Sequence, residues 1–187
     1  MADGTFDPWT RVRTIHDMPA DEVISALQKE IRRGNVENAA MLAYEMVATS
    51  PELEQKLWDR LAVISVEDIG FGEVSAPLLI HALEELSRHF EYGAGDRALF
   101  VIHAVRYLAS RQKDRSSDEM LNWIKYAVSH ENARPSIPDY ALDMHTARGS
   151  ELGRGLRHFL EQGAQISPEW TERDTTYREK LLKVMKE

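Results

Sequence analysis

Apolar side chains recur at spacings of three and four along most of the chain, the stripe of helices that each bury one face. Val23, Ile24, Leu27 and Ile31 make the first stripe, and Gly34 stands where a helix end needs a left-handed residue. Asn35 is placed to cap a second helix that buries Ala39, Leu42, Ala43, Met46 and Val47, and so short a turn predicts an antiparallel hairpin. Ser50-Pro51-Glu52 joins a hydroxyl cap, a proline at the first helical position and a carboxylate at the positive end of the dipole. Leu53, Leu57, Leu61 and Ile64 then form the third stripe, and Glu67 to Gly72, with two glycines, predicts a break. Ser75-Ala76-Pro77 opens a fourth helix through Leu79, Leu83 and Leu86, closed off by Gly93 and Gly95. The fifth carries Leu99, Ile102, His103, Val105, Tyr107 and Leu108, apolar on most of its circumference, which predicts a central position. Ser116 or Ser117, followed by Asp118 and Glu119, begins a sixth with Leu121, Ile124 and Val128.

Pro135 and Pro138 mark the one long connection, because a residue before proline is pushed out of the helical region. Beyond it a helix from Thr146 to Glu161 would turn Leu152, Leu156, Phe159 and Leu160 inward. Gly149, Gly153 and Gly155 read as places where backbones approach closely. Ser167-Pro168-Glu169 predicts the start of a last, charged helix whose Tyr177, Leu181, Leu182 and Met185 seal the core or a neighbouring subunit. No alternating strand pattern competes. The expectation is an all-α, compact domain of about 7–9 helices, divided into an N-terminal arm over 1–18, a helical domain over 19–165 and a C-terminal charged helix over 166–187. Phe6 and Trp9 suggest that the arm docks.

With 187 residues, 43% hydrophobic and 29% charged, the composition is that of an ordinary globular domain. No apolar run approaches the roughly 18 residues that span a bilayer, and the N-terminus lacks a signal-peptide core, so no membrane association and a cytoplasmic location are expected. The absence of cysteine removes thiol nucleophiles, disulfides and thiolate metal sites. A net charge of −8 opposes a phosphate backbone overall, but the balance is uneven. Residues 1–94 hold 8 Lys/Arg against 17 Asp/Glu, whereas residues 95–187 hold 15 against 14. Such asymmetry suits faces that dock on one another, or a local basic face.

The phosphate-loop, dinucleotide, zinc-protease and serine-hydrolase motifs are absent, so no cofactor, metal or catalytic residue is expected. Glu67 and Asp68 beside two glycines could hold a divalent cation or orient a basic partner, although helix-end carboxylates more often cap and form ion pairs. Asp139, Asp143 and His145 have the equipment for proton transfer, and the competing reading is a cap, an arginine contact and a satisfied histidine. Arg106, Arg111, Lys113 and Arg115 cluster at the end of the fifth helix, where the dipole alone favours cations. Read functionally, they join Arg148 and Arg154 as candidates for nucleic-acid or anion binding.

Four stretches carry a family resemblance: Ser25 to Gly34 (SALQKEIRRG), Arg60 to Gly70 (RLAVISVEDIG), His103 to Ser110 (HAVRYLAS) and Ile137 to Gly155 (IPDYALDMHTARGSELGRG). In this order they resemble the C-terminal helical region of the replication-associated recombination AAA+ ATPases, the MgsA/RarA group. The resemblance covers roughly residues 22–160. It implies a fold akin to the collar of clamp-loader subunits and a homo-oligomer, a tetramer by analogy. It also implies a standalone version from which the ATPase module is left out, so no nucleotide-site residue carries over.

The resulting expectation is a non-enzymatic oligomerisation and partner-binding module associated with DNA replication, recombination or repair. Its partners would be further copies, replication or repair proteins, or a separate ATPase. Two alternatives stand beside it: direct binding of single-stranded nucleic acid through the six basic residues, and a small enzyme built on the 139–145 cluster.

Overall fold

A computed structural model describes residues 7–185. The chain is all-α, and among the described residues the one departure is an isolated antiparallel bridge between Arg13 and Pro19. Among them, too, no helix is long and apolar enough to cross a membrane. The chain divides into two units, one ending at Glu131 and one beginning at Asn132.

In the first unit, α1 (Ala20–Arg33) buries Ala20, Val23, Ile24, Leu27 and Ile31. It ends at Gly34, whose φ of +77° lets its N–H reach back to the Glu30 and Ile31 carbonyls. The next helix, α2 (Val36–Thr49), packs antiparallel on α1 through Ala39, Ala43, Met46 and Val47. Asn35 holds the N-cap position, but its side chain makes no capping bond; its backbone N–H donates to the Glu30 carbonyl instead. At the start of α3 (Pro51–Ile64), Ser50 Oγ accepts the Leu53 N–H at 3.2 Å, as the Ser-Pro-Glu pattern predicts.

The expected break after Ile64 takes a different form. The helix widens into a π-turn over Ser65–Ile69 and reverses at Gly70, where φ is +49°. There follow α4 (Ala76–Ser87) and α5 (Gly95–Ser110). The fifth helix touches α1, α2, α3 and α4 and is central, burying Val101, Ala104, Val105, Leu108 and Ala109. Its buried stripe is narrower than its apolar pattern, because Leu99 remains exposed. Before α1, a 3-10 turn over Pro8–Arg11 and a hairpin closed by the Arg13–Pro19 bridge fold back, and Trp9, Val12 and Met18 pack on the core. Phe6 lies outside the described residues. The last helix of this unit, α6 (Ser116–His130), buries Ala127 alone.

The second unit comprises a 3-10 turn over Asp139–Ala141, α7 (Ala147–Glu151), α8 (Leu156–His158), a π-turn over Phe159–Gly163 and α9 (Thr176–Val184). The continuous helix expected from Thr146 to Glu161 is thus corrected to two short pieces. Thr146 does cap, its Oγ1 accepting the Gly149 N–H at 3.0 Å, but Gly153 adopts φ +69° and stops the helix. Leu152 and Leu156 are exposed in consequence. The last helix begins nine residues after Ser167, where Asp174 Oδ1 accepts the Thr176 N–H at 2.9 Å.

Candidate functional site

The π-turn after α3 carries Asp68 into the interior, where it is fully buried. Its carboxylate accepts Arg32 Nε from α1, Arg115 Nη1 at 2.6 Å from the start of α6, and Gln28 Nε2 at 3.0 Å. Glu67 lies beside it and accepts Arg32 Nη2 at 3.0 Å and Arg115 Nη1 at 3.2 Å. The second guanidinium nitrogen of Arg115 turns to Asp118. Burial works against the charge on Arg115, but the bonds from Asp68 and Glu67 outweigh it and raise its pKa. Arg60 Nη1 donates to Gln28 Oε1 at 3.4 Å, while Arg60 Nε is buried without a partner.

Two glycines make this arrangement possible. A Cβ on Gly70 would stand 2.4 Å from the Asp114 carbonyl oxygen, and one on Gly72 would stand 2.6 Å from that of Gln112. The turn and the 112–115 loop therefore lie backbone against backbone, and Asp114 N–H donates to the Asp68 carbonyl at 3.0 Å. Glu67 and Asp68 are thus committed to two internal arginines, which leaves them poorly disposed to take a cation. Among the described residues no three His, Asp or Glu side chains converge as metal ligands.

The six basic candidates separate by what they touch. Arg115 belongs to the carboxylate cluster. Lys113 caps α5, its Nζ donating to the carbonyls of Leu108 and Ala109 at 3.1 Å each and to that of Arg111, and burial lowers its pKa. Arg106 and Arg111 are exposed and line a cleft of about 340 Å³ with Val36, His103, Tyr107 and Ser110. Arg148 and Arg154 belong to the second unit. Arg148 is exposed in α7, and Arg154 grips Asp139 through two bonds of 2.8 Å and also donates to the carbonyls of Asp139 and Leu142.

That grip organises the polar run in the second unit. The Arg154 hydrogen bonds hold Asp139 below the usual carboxylate range. Asp143 accepts the His145 N–H at 2.9 Å and lies 3.2 Å from His145 Nδ1; the backbone bond is the main reason its pKa falls. The His145 ring meets Phe159 edge-on at 5.0 Å. Gly149 sits so close to the Asp143 carbonyl that a Cβ would fall 1.8 Å from its oxygen. Asp143 and His145 are therefore paired, while Asp139 is turned to Arg154, an arrangement that braces a turn.

The remaining features of interest lie on surfaces. His16 N–H and Nδ1 meet the two oxygens of the buried Glu45 at 3.0 and 2.6 Å, fastening the N-terminal hairpin to α2 at the rim of a groove of about 690 Å³. That pair is 29 residues apart in sequence and has no local signature. On α6, Met120, Leu121, Trp123, Ile124, Tyr126 and Val128 are all exposed. Their apolar spacing is plain in the sequence, whereas their exposure is not.

In comparisons with known proteins, the chain matches no protein-family model and no curated protein.

Proposed function

We propose that the chain is a non-enzymatic association module in which α6 of one copy docks against α6 of a second. The observation that carries this reading is the exposure of α6: of its 15 residues only Ala127 is buried, while Trp123 is 64% and Ile124 43% exposed. At 3.6 residues per turn, Met120, Leu121, Trp123, Ile124, Ala127 and Val128 fall on one stripe about 160° wide. Covering side chains of this size is worth about 1.5–3 kcal/mol each when burial is complete. An uncovered stripe of this kind marks an interaction face more often than a solvated one.

Charge placement favours a second copy as the occupant. Lys125 flanks the stripe on the same side as Asp118, and Glu119 flanks it on the same side as His130. An antiparallel pair of α6 helices sets like flank against like flank, so Lys125 of one copy faces the flank that carries Asp118 of the other, and the helix dipoles oppose. The internal engagement of Glu67, Asp68, Asp139 and Asp143 speaks for a non-enzymatic role. The resemblance to the MgsA/RarA helical region, which builds homotetramers, adds replication, recombination or repair as the setting.

Sedimentation equilibrium tests the reading. The chain is expected to associate at micromolar concentration, and Trp123→Asp with Ile124→Glu is expected to yield a folded monomer. A wild-type chain that stays strictly monomeric, or a double variant that associates as well as wild type, overturns it.

A further inference from the structure

The cleft beside the C-terminal half of α5 has a chemistry that the association reading leaves unused. Arg106, Tyr107 and Ser110 stand three, four and seven residues after His103 along α5, which places the four on one face, and Arg111 continues the row. Val36, the first residue of α2, forms the opposite wall. Among the described residues no carboxylate lines the cleft, in a chain whose net charge is −8. Arg106 makes no hydrogen bond or ion pair among the described residues, in contrast to Arg32, Arg97, Arg115 and Arg154, each of which is paired with a carboxylate. Arg111 rests over the Tyr107 ring at 5.0 Å and donates to Ser110 Oγ at 3.1 Å, an arrangement that holds the guanidinium beside a hydroxyl. Glu73 lies within electrostatic reach of Arg111 but does not line the cleft, and its Oε1 accepts the Ser75 N–H and hydroxyl at 3.2 and 2.6 Å.

We infer that this cleft binds a phosphate monoester, carried on a phosphorylated serine or threonine of a protein partner. Two guanidinium forks and an imidazole match the charge of nearly −2 and the three acceptor oxygens of a phosphorylated side chain, while the Ser110 hydroxyl, which donates to the Tyr107 carbonyl and accepts from Arg111, holds one fork in place. A nucleic-acid strand fits less well. Strand affinity grows with the number of phosphates neutralised, and among the described residues two arginines face this cleft, on an otherwise acidic chain. The Tyr107 ring, which would serve a base as a stacking platform, has Arg111 over one face. Enclosure of a small phosphorylated metabolite fits less well too, because such sites bury most of their ligand. Here His103, Arg106, Ser110 and Arg111 all stand exposed, forming an open rim that suits a side chain presented from a larger surface.

The test uses the full chain, isotope-labelled and followed by NMR. The probes are a short phosphoserine peptide, the same peptide unphosphorylated, inorganic phosphate, and a labelled oligothymidylate of similar length. The phosphopeptide is expected to give saturable shifts at Val36, His103, Arg106, Ser110 and Arg111, with a Kd on the order of 1 mM or tighter. Binding by the unphosphorylated peptide should be at least about tenfold weaker, and Arg106→Gln with Arg111→Gln, both exposed and off the core, should remove the shifts while the melting curve holds. Shifts from inorganic phosphate as strong as those from the phosphopeptide overturn the assignment to a protein partner. A response to the oligothymidylate that exceeds the phosphopeptide's, or no saturable response to any probe, overturns the inference as a whole.

Discussion

Arg115 pairs with three carboxylates, Glu67, Asp68 and Asp118, and replacing it with methionine removes the guanidinium while keeping an unbranched aliphatic stem and helix propensity. In Arg115→Met the fully buried Asp68 loses its 2.6 Å bond and retains Arg32 and Gln28; Glu67 retains Arg32 alone, and Asp118 loses its ion pair and retains the Asn122 amide. Deleting one member of a buried ion pair costs about 3–5 kcal/mol when the other charge is left alone. The second arginine and the 29% exposure of the Arg115 side chain reduce that cost, to about 2–3 kcal/mol. For a unit of this size such a loss lowers Tm by roughly 6–12 °C.

The assay is denaturant unfolding followed by the fluorescence of Trp58, which is 2% exposed in the core of the first unit. Arg106→Met serves as the control, since Arg106 is exposed and unpaired; its cost should stay within about 0.5 kcal/mol. A double-mutant cycle with Asp68→Asn should return a coupling of about 1.5 kcal/mol or more. A cost for Arg115→Met no larger than that of the control, or additive behaviour in the cycle, would refute the claim that Asp68 depends on this arginine.

Two further outcomes follow from the geometry. Gly149→Ala forces a Cβ to 1.8 Å from the Asp143 carbonyl oxygen, a backbone atom that cannot swing aside, so a cost above about 3 kcal/mol is expected. Hydrogen exchange at Thr146 and Arg154, whose N–H groups donate to Asp143 and Gly149, should report it, and unchanged protection there would refute the close approach. Burial pushes the Glu45 pKa up, but hydrogen bonds from Thr14 and His16 outweigh it and hold the group below its ordinary 4.5. Its contribution is therefore complete above pH 4.5 and is lost as pH falls through the lower folded-state value. Glu45→Gln should flatten that part of the acid limb of an unfolding-against-pH curve; an acid limb identical to wild type counts against the pairing.

The parts of the fold legible in the sequence are those whose cause is local. Gly34 ends α1 and Ser50 caps α3 because capping depends on residues within one turn, and the buried stripe of α1 needs only the helical period. Gly149 was legible as a close approach, but nothing local separated it from Gly153, which instead takes a positive φ and ends the helix. The charge cluster was less accessible. Glu67 and Asp68 stand out in the sequence as a pair, yet their partners Arg32 and Arg115 lie 35 to 48 residues away, and an ion pair imposes no periodicity on the sequence between. Gln28 and Arg32 on one side and Arg60, Glu67 and Asp68 on the other fall within the stretches 25–34 and 60–70, so those stretches meet in space. The apolar stripe of α6 was legible as a face to be covered; whether its own chain covers it is a property of the tertiary arrangement.

These observations bear on one another through α6. A helix that buries only Ala127 has no packed face to fix its direction, so its direction is set at its N-terminal end. There Arg115 joins Asp118 of the helix to Glu67 and Asp68 of the π-turn, the Asp114 N–H holds the Asp68 carbonyl, and Gly70 and Gly72 allow the two backbones to touch. A buried charge cluster is weak support for stability, because desolvation offsets much of its attraction, but its directional bonds admit few alternative arrangements. Bonds of this kind at its root restrict the directions open to α6, which would lower the entropic cost of the docking proposed above. The internal commitment of Glu67 and Asp68, which disfavours them as a cation site, would thus hold the neighbouring helix in place for the docking proposed above.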